Sequence, residues 1–217
     1  MKKIAVFDAQ GPVYLMVNKE GKVIPIGNTK QLKKEVYPNF YDDFDDYFAL
    51  DMEKQVLIEE DLVINKNVSV VENPGIVEFF AKLRKKGITP VIITFGTTKA
   101  TKEELKQVVE SYNKKNNTNL QQEEVISMKN AHSVLDLGMT KANPEDWKKI
   151  IEENYGEVEV VAVFEDTLKW LKNATKAFGC KGFLVVDEGE CIIKKDYDFE
   201  YYEGNLKKMS EKFFEVI

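Results

Sequence analysis

Cysteine, histidine and long apolar runs are scarce in this chain. Its two cysteines, Cys180 and Cys191, form no metal-ligand spacing, so free thiols in a reducing compartment are the plain reading. The sole histidine, His132, reads as a loop or surface residue rather than a catalyst. No apolar run approaches the roughly 18 residues a membrane span needs. The N-terminus enters a strand almost at once and shows no signal-peptide pattern, which points to the cytoplasm. There is no excess of basic charge either. A net charge of −6 and a pI near 5.1 argue against a nucleic-acid partner. Internal repeats and low-complexity linkers are absent. What remains is 217 residues that are 43% hydrophobic and 31% charged, enough for a packed α/β domain carrying an insertion.

The chain is organised around its start, Lys3-Ile4-Ala5-Val6-Phe7-Asp8-Ala9-Gln10-Gly11-Pro12-Val13. An apolar strand over 3–8 ends in an aspartate and breaks at a glycine. Residues 13–17 and 22–26 flank Asn18-Lys19-Glu20-Gly21 and read as a β-hairpin standing over that strand end. Residues 28–70 differ in character. Phe40, Phe44, Tyr47 and Phe48 share a helical face amid acids, which predicts a small, mainly helical insertion.

After Pro74-Gly75 comes a helix to about residue 86, then an apolar strand over 88–94 ending in Thr94. Thr101 and Glu104 suggest a capping box for the next helix; Thr97, Thr98 and Lys99 read as helix-start chemistry. Val125-Ile126-Ser127-Met128 reads as a short strand. Asn143-Pro144-Glu145 opens another helix, and Val158 to Phe164 is a β-branched strand closed by Glu165-Asp166. A helix stripe runs from Leu168 to Phe178, Phe183 to Val186 forms the next strand, and a helix over about 204–215 ends the chain. Strands alternating with helices predict a Rossmann-like parallel sheet flanked by helices. The domain reading is a core of residues 1–27 and 71–217 with a small helical cap over 28–70.

In a parallel sheet, groups that end different strands meet along one edge. Asp8, Thr94 and the Glu165-Asp166 pair are such groups, with Lys141 ahead of the helix at Pro144. Carboxylates gathered this way repel one another, and a cation resolves the conflict. Oxygen donors with one lysine suit Mg²⁺ beside a substrate phosphate. Asp8 could then attack phosphorus, with Thr94 and the Phe95 and Gly96 N–H groups on the phosphoryl oxygens and Lys141 neutralising charge. Lys148 and Lys149 stand close by as alternatives to Lys141.

These four stretches resemble the motifs of the haloacid dehalogenase-like (HAD) hydrolase superfamily. Val6-Phe7-Asp8-Ala9-Gln10-Gly11-Pro12-Val13 is similar to its first motif and Val91-Ile92-Ile93-Thr94 to its second. Lys141-Ala142-Asn143-Pro144 resembles the third, and Phe164-Glu165-Asp166-Thr167 the fourth. The resemblance covers residues 3–17 and 72–187 and places the 28–70 insertion where a first-type cap sits. It implies that Asp8 is the phosphoryl-accepting nucleophile and a Mg²⁺ ligand. Asp166 with Glu165, and the backbone carbonyl of Gln10, would complete the metal site. Thr94 and Lys141 would bind phosphate, the hairpin would be a flap, and the substrate a small phosphorylated molecule.

One departure bears on activity. The resemblance implies an aspartate two residues beyond the nucleophile, which protonates the leaving oxygen; Gln10 stands there and cannot exchange a proton near neutral pH. Pro12 replaces the usual threonine. Two other readings therefore stay open: a phosphate-ligand binder that kept the metal site, and other chemistry of the dehalogenase or phosphonatase type. A phosphonate-cleaving member would use a cap lysine, and Lys30, Lys33 and Lys34 lie in the insertion, where a solvated helix face also explains them. The retained acidic pair argues against metal-free dehalogenation.

Overall fold

Ile4, Ala5, Val6 and Phe7 are fully buried, as expected of an apolar strand covered on both faces. In the computed structural model, which describes residues 1–29, 60–61, 64, 68–197 and 199–217, they form β1 (Lys2–Phe7) at the centre of a seven-stranded sheet. Its neighbours are β4 (Ile88–Thr94) and β6 (Val158–Glu165), both parallel to it. Outside β4 lies β5 (Ala131–Ser133); beyond β6 lie β7 (Lys181–Val185), β9 (Phe199–Gly204) and the edge strand β8 (Ile192–Asp196). Only β8 runs antiparallel to its neighbour. This is the Rossmann-like α/β arrangement expected from the alternation of strands and helices.

Side chains alternate across a strand, so each face of the sheet has its own core. Ala5, Phe7, Ile92 and Phe164 face α1 (Ile76–Lys85), α2 (Thr98–Asn116) and α6 (Leu206–Val216). Ile4, Val6, Val91 and Val163 face α4 (Pro144–Tyr155) and α5 (Leu168–Phe178). The short helix α3 (Gln122–Val125) sits at the α1 side. Rings from four adjacent strands stack in a row: Phe7 on Phe164 at 4.5 Å, Phe164 on Phe183 at 4.6 Å, and Phe183 on Tyr202 at 5.0 Å between centroids. Each pair is also a register pair. Such cross-strand contacts pin register, and here they align the residues that follow Phe7 and Phe164, namely Asp8 and Glu165.

A separate antiparallel pair joins β2 (Tyr14–Val17) to β3 (Ser69–Glu72). The turn at Asn18–Gly21 forms as the sequence predicts. Asn18 donates to the Lys22 carbonyl, Ile24 donates to that of Met16, and Gly21 takes φ of +79°. The second arm is short, however. One bridge links Val17 to Val23, then Pro25, which has no N–H to donate, precedes a one-turn 3-10 helix at Ile26–Asn28. The long partner of β2 is β3, which lies far along the chain from it.

Three further expectations differ from the structure. Residues 125–128 are not a strand. They join the end of α3 to a 3-10 turn at Met128–Asn130, because the Glu124 carboxylate accepts from the Gln121 N–H, 2.6 Å away, and the Ser127 hydroxyl caps the turn. Four apolar-rich residues cannot choose helix or strand by pattern alone. The second helix begins a turn before the expected Thr101–Glu104 box, since extended Thr97 accepts from the Ala100 N–H. Thr101 and Glu104 are buried within it. The tail contains strands β8 and β9 that no reading of the sequence anticipated; Tyr201 and Tyr202 are buried on opposite faces of the sheet. The aromatic stripe at 37–48, Lys30, Lys33, Lys34 and most of the 28–70 cap reading lie outside the described residues. Among the described residues no helix is long and apolar enough to cross a membrane.

Candidate active site

The ends of β4, β1 and β6 are consecutive in the sheet, and each delivers one polar residue to the same edge. Asp8 follows β1, its N–H donating to the Phe164 carbonyl at 2.8 Å. Its side chain retains 12% exposure. Thr94 closes β4 and is buried. Glu165 closes β6 with no exposed surface, and Asp166 follows it. Carboxylate oxygens of Asp8, Glu165 and Asp166 lie within 4.8 Å of one another.

Lys141 joins this cluster from a loop. Its Nζ donates to Asp8 Oδ1 and to Glu165 Oε1, each at 2.6 Å, and the side chain is 1% exposed. The loop is held by two groups no sequence pattern identified: Trp147 Nε1 and Asn173 Nδ2 both donate to the Lys141 carbonyl, at 3.0 and 3.2 Å. Asn143 then caps α4, with Pro144 in its first turn. Lys148 and Lys149 instead pair on the exposed helix with Glu145 and Glu153, so Lys141 is the lysine at the strand ends.

Glu165 Oε2 accepts from the N–H groups of Asp166 and Thr167, at 3.1 and 3.2 Å. Thr167 Oγ1 donates to Asp166 Oδ1 at 3.0 Å. Burial pushes the Glu165 carboxyl well above the usual range. Lys141 pulls it back, while the Asp8 and Asp166 charges push it further up. For Lys141, burial acts to lower its pKa, but Asp8 and Glu165 together hold it above the ordinary lysine value. Three acids thus share one lysine at the strand ends.

The residues fit a divalent cation with hard oxygen ligands. Besides the converging carboxylates, the chain makes room beside Asp166. Gly11 has φ of +81°, and a Cβ there would lie 2.7 Å from Asp166 Cβ and 2.9 Å from its Oδ2. Asn73, another residue the sequence reading missed, holds this turn by donating to the Gly11 carbonyl. Gly11→Ala is therefore expected to destabilise the fold by about 2–4 kcal/mol, combining left-handed strain with a close contact. A urea unfolding midpoint equal to that of the parent protein would contradict this.

The Gly96 N–H, expected to face a phosphoryl oxygen, donates to Thr94 Oγ1 at 3.1 Å, closing a small turn on itself. Phe95 packs its ring near Trp170, with Lys141 Nζ 5.7 Å from the ring centroid. Behind this turn the Tyr14 hydroxyl donates to Glu104 Oε1 at 2.8 Å, a contact without a local signal. The Gln10 side chain turns to Thr29: its Nε2 donates to Thr29 Oγ1 at 3.0 Å. The His132 Nε2 lies 2.7 Å from the Tyr155 hydroxyl, and burial holds its pKa down. Burial also raises the Cys180 thiol to about 12.

A parallel sheet that gathers an aspartate, a threonine, a buried lysine and an acidic pair on adjacent strand ends has the fold of the HAD-like hydrolases. Several solved structures share it. CbbY from Rhodobacter sphaeroides, in complex with phosphate, aligns over 86% of this chain and 87% of its own, at 13% identity and a TM-score of 0.55. A dehalogenase with an intermediate complex aligns over 97% and 96%, at 16% identity and a TM-score of 0.56. The UTR4 protein from Saccharomyces cerevisiae aligns over 94% and 97%, at 13% identity and 0.54. At these identities the likeness is one of fold. No protein-family model and no curated protein sequence matches the chain.

Proposed function

We propose that this protein is a Mg²⁺-dependent phosphohydrolase that acts on a small phosphorylated molecule through an aspartyl-phosphate on Asp8. The observation that carries the reading is the shared contact of Lys141 Nζ with Asp8 and Glu165, next to Asp166, at the ends of neighbouring strands. Turn formation or strand capping does not require a lysine with 1% exposure between two carboxylates.

In this reading Asp8 Oδ attacks phosphorus. Lys141 orients that carboxylate and offsets charge on the incoming phosphoryl group, and the Thr94 hydroxyl meets a phosphoryl oxygen. Asp8, Glu165, Asp166 and the backbone carbonyl of Gln10 would hold Mg²⁺. Glu165, which already accepts from Lys141 and two backbone N–H groups, contributes charge and orientation first. When bound, the cation supplies electrostatic stabilisation of the transferring group. Positioning and charge account for most of the rate enhancement in phosphoryl transfer.

The test is acid-quench trapping after incubation with Mg²⁺ and p-nitrophenyl phosphate. Expected are nitrophenolate release and a covalent phosphate mapped to Asp8 by mass spectrometry, both lost in Asp8→Asn and without Mg²⁺. Equal release from parent and variant would sink the proposal. Gln10 favours a second reading, a non-catalytic phosphate-ligand binder, because its amide is tied to Thr29. Mg²⁺-dependent thermal stabilisation by a phosphorylated ligand with no turnover would favour it. Dehalogenase-type attack on carbon is disfavoured by the acidic pair beside Asp8, which such attack does not need.

A further inference from the structure

Resting on the phosphoryl-transfer reading above, we infer that the substrate carries its phosphoryl group on an acidic leaving group, as in an acyl phosphate or a phosphoanhydride, rather than on an alkyl alcohol. The argument starts at Gln10. Its Nε2 donates to Thr29 Oγ1 at 3.0 Å, and Thr29 Oγ1 donates in turn to the Ile26 carbonyl at 3.0 Å. A hydroxyl has a single hydrogen. With that hydrogen directed at Ile26, Thr29 can only accept from position 10, so the site is built for a donor. An amide supplies one; a carboxylate does not unless Thr29 turns away from Ile26. Ile26 is itself held, its N–H donating to Asp187 Oδ1 at 2.7 Å. Gln10 is thus committed to a hydrogen-bond chain that an ionised carboxylate at this position does not reproduce.

Two further donors at the site, among the described residues, are committed as well. Lys141 Nζ balances two carboxylates. The Thr167 hydroxyl donates to Asp166. An alkoxide leaves readily only if it is protonated as the bond breaks, and such help is worth about 10²–10⁴-fold. A carboxylate or phosphate needs no proton to depart.

The step balances without any protein acid. Asp8 Oδ forms a bond to phosphorus, and the bond from phosphorus to the acyl oxygen breaks with its electron pair on that oxygen. An acyl phosphate dianion and the Asp8 carboxylate become a free carboxylate and the aspartyl-phosphate dianion. Water then attacks phosphorus, Asp8 leaves as the carboxylate, and both protons of the water depart on dihydrogen phosphate.

The experiment compares kcat/KM of the unmodified protein, with Mg²⁺, for acetyl phosphate, pyrophosphate, p-nitrophenyl phosphate, phenyl phosphate and glycerol phosphate, using Asp8→Asn as the blank. Phosphate on Asp8 is mapped in parallel by mass spectrometry. The expected result is labelling by acetyl phosphate or pyrophosphate, with glycerol phosphate slower by about 10²-fold or more. Phenyl phosphate, whose phenol has a pKa of about 10, should fall between. Acetyl phosphate and pyrophosphate also separate the two sources of an acidic leaving group. If Asp8 is labelled but glycerol phosphate reacts as fast as acetyl phosphate, the leaving-group inference is overturned and phosphoryl transfer stands. Failure of every compound to label Asp8 or be turned over overturns both.

Discussion

Gln10→Asp is expected to raise kcat for alkyl phosphomonoesters by about 10²–10⁴-fold, while acetyl phosphate turnover changes only a few-fold. Aspartate is one methylene shorter than glutamine and cannot donate when ionised. It loses the Thr29 contact and, two residues beyond Asp8, is a group that can exchange a proton. The gain should be largest where the leaving oxygen is most basic. Steady-state kinetics on glycerol phosphate and acetyl phosphate check it. Equal gains on both would mean that Gln10 limits a step other than leaving-group departure. No gain on either would show that position 10 has no role in proton transfer. A small loss of stability is expected alongside, since one hydrogen bond contributes about 0.5–1.5 kcal/mol net.

Lys141→Met is expected to destabilise the metal-free protein by about 3–5 kcal/mol, because removing one partner of a buried ion pair leaves uncompensated charge. The effect should depend on pH with a defined sign. Glu165 already has its pKa raised in the folded state, and Lys141 is the strongest influence lowering it. Without the lysine the folded protein binds a proton on Glu165 more tightly than the unfolded chain does. Stability of the variant therefore increases as pH falls toward the ordinary carboxylate value near 4.5 and is lost as pH rises above it. Urea unfolding at several pH values, with and without Mg²⁺, measures this. A pH-independent difference from the parent protein would argue that lost packing rather than lost charge is responsible. Mg²⁺ should restore part of the stability by supplying the missing positive charge to the same carboxylates.

Much of this architecture is legible in the chain. Apolar strands ending in Asp8, Thr94 and Glu165 announce a parallel sheet with polar groups at one edge, because only strands covered on both faces are this uniformly apolar. Asn143-Pro144 marks the start of α4 by ordinary capping chemistry. The places where pattern failed are short or locally ambiguous. Residues 125–128 are too few to show a period. The aromatic and acidic alternation at 199–204 is strand-like, yet it was obscured by its charge. The arm after Gly21 stopped at Pro25 for want of an N–H group, and β2 found its partner in β3, far along the chain.

The site divides the same way. The chemical identities of Asp8, Thr94, Lys141, Glu165 and Asp166, and the absence of a proton-exchanging side chain at Gln10, belong to the sequence alone. So does the expectation that strand-end residues of a parallel sheet converge. Which lysine converges with them was decided by the tertiary structure, through Trp147 and Asn173 holding the Lys141 carbonyl. The fold likewise decided that Asn73 steadies the Gly11 turn and that Gln10 is bound to Thr29. Local pattern carries the period and chemistry of an element. It does not carry the partner of a hydrogen bond that spans 19 residues at Gln10, or 133 at Lys141, because that partner exists only once the strands have been placed side by side.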